Sequence, residues 1–380
     1  MKRSFLPLML AAGACAGGPA TPAPTPGAAA APSGPFSVVL FIGDGTGLSY
    51  WSAARHATTS LGVQALRTIG LVDVRSSNAR VTDSGAGATA YSAGVRTFNG
   101  AIGVAPDSSP VRTVLQLAQS RGMATGLVAS ATVTHATPAS FAAHVPDRNM
   151  HEEIARQMAE ADIDVLLGTG RRFFDPAQRE DSLDLIGPLR QRAAYVDSPE
   201  SFQALDLDTV RTLVGFFADE NPPTAVDRRP SLPELTRSAL EVLEKNRRGF
   251  FLMVEGSQID WLGHDHAPLQ QVIAEVLDFD MAIRQALEFQ QRRPNTLVVV
   301  VADHSTGGLA LQYDSTGVFG AHYTTEGHTG EMVPLFAGGP GAEEFGGILD
   351  NARVGQLLLR MVEEGGPRSR GPLVSTPDGE

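Results

Sequence analysis

Residues 37–47 read SVVLFIGDGTG. The first seven carry no charge and are mostly large or β-branched apolar side chains, the composition of a strand buried on both faces. The run then breaks into Gly-Asp-Gly-Thr-Gly, which cannot continue a strand, and leaves one carboxylate, Asp44, at its end. Taken alone, a Gly-Asp-Gly is most often a turn. The same pattern recurs, however, in ATGLVAS (124–130), IDVLLG (163–168), GFFLMVEG (249–256), NTLVVVVAD (295–303) and MVPLFAG (332–338). Amphipathic stretches alternate with these runs and predict helices over 47–59, 84–93, 110–121, 148–160, 231–247, 268–292 and 351–363. The alternation predicts an α/β fold, a mainly parallel central sheet with helices on both faces. Residues 170–230 are less regular and read as an excursion from that core.

Composition narrows the function. The chain has 380 residues and a formal net charge of −12, which argues against a general affinity for nucleic acid. Lysine occurs only as Lys2 and Lys245, so Schiff-base chemistry is not expected and any anion clamp must be arginine or metal. Residues 1–15, MKRSFLPLMLAAGAC, have a basic start, a short apolar run and small residues, the pattern of an export signal. The apolar run is too short to span a bilayer. Cys15, the only cysteine, follows Ala12-Gly13-Ala14 and resembles the lipobox of bacterial lipoproteins, with ordinary signal-peptidase cleavage as the alternative. The expectation is an exported protein, periplasmic or held to a membrane through a lipid on Cys15. Residues 16–35 are Pro/Ala/Gly-rich and read as a tether, 36–364 as the globular domain, and 365–380 as a disordered tail.

In open α/β sheets, ligands bind beyond the carboxyl ends of the strands. Asp44 follows the first run. Glu255 ends the fourth and is followed by Asp260 and His264; Asp303 and His304 end the fifth; His328 precedes the last. Burying several carboxylates together is very costly without cations, and too few arginines stand at these ends to pair them. The Asp/His mixture suits zinc. Asp260 and His264 are one helical turn apart. Asp303 and His304 can reach one ion only if the backbone leaves the strand there, which Ser-Thr-Gly-Gly permits. His56, His144, His151, His266 and His322 lack this placement and read as structural or supporting. The stretch VTDSGAGATAYSAG (81–94) places Ser84 either in a tight turn or at the mouth of a helix.

The ordered set FIGDGTG (41–47), VTDSGAGATAYSAG (81–94), GVRTFNGAIGV (94–104), THATPASFAAHVPDR (134–148), MVEGSQIDWLGH (253–264), VVADHSTGG (300–308) and EGHTGEMVP (326–334) resembles the alkaline phosphatase family over roughly 36–363. The resemblance implies two Zn2+ and one Mg2+. Asp260, His264 and His328 would hold the first zinc. Asp44, Asp303 and His304 would hold the second, with Ser84 completing it. Asp44, Thr137 and Glu255 would hold magnesium. It implies Ser84 as nucleophile through a phosphoserine, and Arg148 as a bidentate clamp on small phosphate monoesters. On this reading Asp83 orients Arg148, and the Gly and Ala after Ser84 leave room for phosphate over the helix start. The chain departs from the best-studied bacterial form at His135 and Trp261, where that form has an acidic residue and a lysine. His135 is then expected near the magnesium, and Trp261 at the substrate mouth or in simple packing. Only 23 residues separate His304 from His328, so the crown insertion of larger relatives is minimal or absent. A homodimer is implied by the resemblance alone. The competing readings are a phosphodiesterase or sulfatase of the same superfamily, and an exported lipoprotein that binds metal or phosphate without turnover.

Overall fold

Ser37–Gly43 forms the strand expected of it (β1), and all seven residues are buried. Its side chains alternate between two cores. Val38, Leu40 and Ile42 enter one cluster, and Val39 and Phe41 the other. A strand with a core on each face has no side for polar residues, hence the unbroken apolar run. The computed structural model describes residues 34–367, so the leader, nearly all of the tether, and the tail from 368 lie outside the described residues.

Seven further strands follow: β2 (Thr68–Asp73), β3 (Ala124–Thr132), β4 (Val165–Thr169), β5 (Ala194–Val196), β6 (Leu213–Phe216), β7 (Phe250–Gly256) and β8 (Thr296–Val301). Two later strands, Val333–Gly338 and Gly347–Asp350, complete a ten-stranded sheet. Its order is Gly347–Asp350, β2, Val333–Gly338, β8, β1, β7, β3, β4, β6, β5. Only Val333–Gly338 runs antiparallel to its neighbours, so the mainly parallel α/β architecture is as expected. One face is covered by helices Ser84–Ala93, Val114–Ser120, His151–Glu160 and Asn351–Glu364. Helices Leu48–Ala57, Leu232–Leu243 and Leu269–Arg292 cover the other.

The structure corrects the sequence reading in several places. Residues 170–230 are not an excursion, since β5 and β6 extend the central sheet at one edge. At the other edge β2 was not expected. Ile69 and Leu71 face outward from it, which hides the usual apolar alternation. Helix Ala136–Ala142 was not anticipated, and of helix Gln258–His264 only the Asp260–His264 turn was; each has only seven residues, too few for a periodic signal. The expected helix at 110–121 shortens to Val114–Ser120 because Thr113 caps it, accepting from the Gln116 N–H while Gln116 Oε1 accepts from the Thr113 N–H.

Helix Ser84–Ala93 is buried along its whole length. Its small residues allow that burial. A Cβ at Gly85 would lie 2.9 Å from the Ala101 carbonyl oxygen, and one at Gly87 would lie 3.0 Å from that of Asp303. The Gly and Ala after Ser84 therefore serve close packing. Gly355 does the same from the facing helix, where an added Cβ would meet the Ala90 carbonyl oxygen at 2.1 Å. Gly355→Ala should thus lower stability by up to about 2 kcal/mol, because overpacking of about 1–3 kcal/mol outweighs the roughly 1 kcal/mol gain in helix propensity. Thermal unfolding checks this, and an unchanged or raised midpoint would sink it.

Candidate active site

Three central strands converge on one edge. β1 runs into Asp44, β7 ends with Glu255 next to its last residue, and β8 stops just before Asp303 and His304. The Asp44 turn is stitched to the Asp303 turn: Gly45 N–H donates to Asp303 Oδ1 at 3.1 Å, and Thr306 N–H to the Gly45 carbonyl at 3.2 Å. Gly45 is required there. Its φ is +63°, and a Cβ would lie 2.5 Å from Thr306 Oγ1. After β7 the chain turns at once into helix Gln258–His264, with Asp260 in its first turn and His264 in its last. After β8 the backbone leaves the sheet, and Ser305–Thr306 pairs antiparallel with His328–Thr329. That pairing carries His328 back over the site.

Three groups of metal-ligating side chains result, with donor atoms within 4.8 Å of one another in each: Asp260, His264 and His328; Asp44, Asp303 and His304; Asp44, His135 and Glu255. His264 Nε2 lies 3.2 Å from His328 Nε2 and 3.3 Å from Asp260 Oδ2. His304 Nε2 lies 3.3 Å from Asp44 Oδ1, 3.4 Å from Asp303 Oδ2 and 3.2 Å from Ser84 Oγ. Asp44 belongs to two groups, as the resemblance implied. His135, expected near the magnesium, stands with Asp44 and Glu255. The remaining histidines take other partners: His144 contacts Gly103 and Gln116, His151 stacks on Phe173, and His266 stacks on Tyr323.

The electrostatics show that these groups fit cations. Asp44, Glu255 and Asp303 are fully buried, yet both oxygens of Asp44, both of Glu255 and Oδ2 of Asp303 have no hydrogen-bond partner; nor does Thr137 Oγ1. Burial pushes Glu255 up to about 8 and Asp303 up to about 6, and burial together with the Asp303 charge lifts Asp44 well above the usual carboxylate range. Burial also pushes His304 down to about 4, and burial with the nearby Arg148 pushes His135 to about 3, so both imidazoles are neutral with a lone pair to offer. Against its own burial, Asp260 is held well below the usual range chiefly by its hydrogen bond with His264. Buried carboxylates with nothing to bond beside neutral imidazoles are the donor set that divalent metals take.

Second partners aim the imidazoles. His328 Nδ1 donates to the Thr82 carbonyl at 2.8 Å, and His264 Nδ1 to the Glu326 carbonyl. The His328 bond leaves its Nε2 lone pair free, whereas His264 Nε2 is engaged by Asp260, whose hydrogen bond pushes this imidazole up to about 9 until a cation displaces the proton. Thr306 was not singled out from the sequence. Its hydroxyl donates to Asp260 Oδ1 and contacts His304 Nδ1 at 3.2 Å, so it bridges two of the groups, and Tyr50 Oη holds its carbonyl at 2.8 Å. Asp260 and Thr306 are far apart in sequence, and no local pattern could have announced the contact.

Ser84 is the first residue of its helix, and Asp83 caps it. The two Asp83 oxygens have separate tasks. Oδ1 accepts from the Ala86 N–H at 3.0 Å, and Oδ2 accepts from Arg148 Nη1 at 2.8 Å. One carboxylate thereby fixes both the serine's helix and the arginine's direction. Arg148 Nη2 lies 3.4 Å from His135 Nε2, and Trp261 is edge-on to the His135 ring at 6.0 Å. Trp261 is partly exposed at this rim.

A serine opening a helix, set among carboxylate–imidazole groups at the carboxyl edge of an α/β sheet, defines the class of metal-dependent phosphoryl hydrolases. Comparisons with known proteins place the chain within it. The alkaline phosphatase family model matches residues 37–323. Alkaline phosphatase 3 of Bacillus subtilis (strain 168) is 32% identical over 418 aligned residues, covering 86% of this chain and 89% of that protein. Streptomycin-6-phosphate phosphatase of Streptomyces griseus is 34% identical, covering 87% and 91%. The solved alkaline phosphatase of the Antarctic bacterium TAB5 superposes with a TM-score of 0.81 at 38% identity, covering 88% of this chain and 99% of that one. The chain belongs to the alkaline phosphatase family, whose members hydrolyse phosphate monoesters.

Two outcomes test the site. Asp83→Asn keeps a good cap but loses the ion pair, so it should leave the melting temperature near that of the parent while weakening inhibition by inorganic phosphate several-fold. Asp83→Ala should do the same to inhibition and also cost about 1 kcal/mol of stability, the usual worth of a cap. Equal melting losses in both variants would refute the division of labour. The second test uses chelated protein. Glu255 ionises near 4.5 when unfolded but only near 8 when folded, so between these values the folded chain holds a proton that the unfolded chain has released. Glu255→Gln removes that titration, so under EDTA the parent's stability relative to Glu255→Gln should be greatest at low pH and fall as pH rises through that window. A difference that stays flat or rises from pH 5 to 8 would contradict the assignment.

Proposed function

We propose that this protein hydrolyses phosphate monoesters to an alcohol and inorganic phosphate through a phosphoserine on Ser84, using two zinc ions and one magnesium. The observation that carries the reading is Ser84 Oγ, 3.2 Å from His304 Nε2, beside fully buried carboxylate oxygens that no donor satisfies. Asp260, His264 and His328 would hold one zinc, Asp44, Asp303 and His304 the other, and Asp44, Glu255 and Thr137 the magnesium with His135 beside it. Bound there, the cations supply Lewis-acid stabilisation of charge on the attacking and leaving oxygens.

The chain's own residues do the rest. Arg148, already aimed by Asp83, receives two oxygens of the phosphoryl group. The start of the Ser84 helix adds a favourable dipole for the anion. Ser84 Oγ forms a bond to phosphorus as the bond to the substrate's ester oxygen breaks, and the hydroxyl proton passes, in net terms, to the departing alcohol. Water then bonds to phosphorus from the vacated side, the Ser84 Oγ–P bond breaks, and the serine recovers its proton. The enclosure of Asp44, Asp303 and His304 keeps bulk water from competing for the reacting oxygens.

A monoester is favoured over a diester by Arg148. A monoester has three non-bridging oxygens to share between cations and a two-pronged clamp, whereas a diester has only two. The leader supports export and a lipid on Cys15 as the chain's destination. No helix of the described residues is long and apolar enough to cross a membrane.

With zinc and magnesium supplied, p-nitrophenyl phosphate should turn over, its bis-ester should turn over far more slowly, and EDTA should abolish both. Ser84→Ala should lower kcat by about a thousandfold or more, as loss of a nucleophile does. Full activity in Ser84→Ala would sink the phosphoserine route, and equal rates on the two esters would sink the substrate class.

A further inference from the structure

The site occupies the carboxyl ends of the central strands, and the opposite rim has a chemistry of its own. Arg121 stands just before β3, Arg211 before β6, Arg247 and Arg248 before β7, and Arg292 and Arg293 before β8. These strands run in one direction, since β3 pairs parallel with β7 and β4, β7 with β1, β1 with β8, and β4 with β6. All these arginines therefore lie at the amino end of the sheet, and all are exposed.

The recesses between them join them into one surface. Arg247, Arg292 and Arg293 line a recess with Gly34 and Pro35. Arg121 and Arg248 line a second, again with Gly34 and Pro35. Arg211 lines a third with Lys245. Some acids answer them: Glu244 meets Arg293 at 3.3 Å, Glu363 meets Arg121 at 3.1 Å, Glu364 lines the second recess with them, and Asp164 lines the third. Among the described residues, Arg211, Arg247, Arg248 and Arg292 have no carboxylate within ion-pair distance. In a chain of net charge −12 this is a local surplus of the minority sign. A cationic patch on an otherwise acidic molecule is turned toward an anionic surface before it touches it.

We propose that this arginine rim docks on the anionic phospholipid head groups of a membrane surface and turns the Ser84 site away from the bilayer. Guanidinium groups suit phosphate by charge and by their paired donors. The described chain begins at Gly34, inside the rim, so the segment that carries the leader and Cys15 joins the body at this end. A tether alone leaves orientation free; a cationic rim at its point of attachment removes that freedom and leaves the site open to soluble phosphate esters. This placement favours a membrane over a soluble acidic protein. The inference is independent of every step of the proposed reaction.

The test uses the full chain with Cys15→Ser, which removes acylation. It is sedimented with vesicles of phosphatidylglycerol and phosphatidylcholine, or of phosphatidylcholine alone, at low and high salt. The parent should bind the anionic vesicles at low salt, ignore the neutral ones, and be released by salt, because the Debye length shrinks to about 3 Å at 1 M. The combined change Arg247→Gln, Arg248→Gln, Arg292→Gln and Arg293→Gln should reduce partitioning by at least tenfold, since each basic group near an anionic surface is worth about fivefold. Melting temperature and p-nitrophenyl phosphate turnover in solution should not change. Equal binding by parent and variant would assign the attraction to the leader or tail and overturn the proposal. So would failure of the parent to bind anionic vesicles, whether or not it binds a soluble acidic peptide.

Discussion

The structure turns on carboxylates buried where they cannot be solvated. Asp44, Glu255 and Asp303 stand at or just beyond the ends of strands whose other residues are sealed between two cores, and the burial that makes the sheet stable strips these acids of water. The nearby backbone donors are already committed: the N–H groups of Gly45 and His304 both serve Asp303 Oδ1 and leave its second oxygen bare. Around the site other polar groups find partners. The hydroxyls of Tyr50 and Thr306, the Nδ1 atoms of His264 and His328, and both oxygens of Asp83 are all engaged. The unpaired oxygens face imidazole nitrogens across common points, an arrangement that fits cations.

Around that constraint, individual groups carry more than one task. Asp83 caps the helix that Ser84 opens with one oxygen and directs Arg148 with the other, so the placement of the serine and of the arginine share one origin. Thr306 joins an acid of one donor group to an imidazole of another. The helix behind Ser84 is small-residued because it threads between the Asp303 backbone, the Ala101 carbonyl and the helix carrying Gly355. Packing places Ser84 within reach of His304, and the chemistry inherits that placement.

Much of this was legible in the chain. Unbroken apolar runs ending in Asp or Glu have few physical solutions besides parallel strands with a ligand site at their carboxyl ends, because only strands covered on both faces exclude polar residues so completely. β1, β7 and β8 and the acids that follow them were read in this way, and the family resemblance supplied Ser84, Thr137 and Arg148. Less was visible where periodicity is short or masked. Helix Gln258–His264 has only seven residues, β2 shows apolar side chains to solvent, and the strands within 170–230 are too brief to announce themselves.

The sequence by itself determined the elements that bury both faces and the kinds of side chain that end them, since hydrophobic pattern and residue chemistry are local properties. Tertiary structure alone decided which of those side chains meet. The pairing of Ser305–Thr306 with His328–Thr329, the ion pair between Asp83 and Arg148, the place of His135 beside Glu255 and the gathering of arginines at the amino rim all depend on strand order and register. Those are set by how the whole sheet closes its two cores, and no single stretch of chain contains that information.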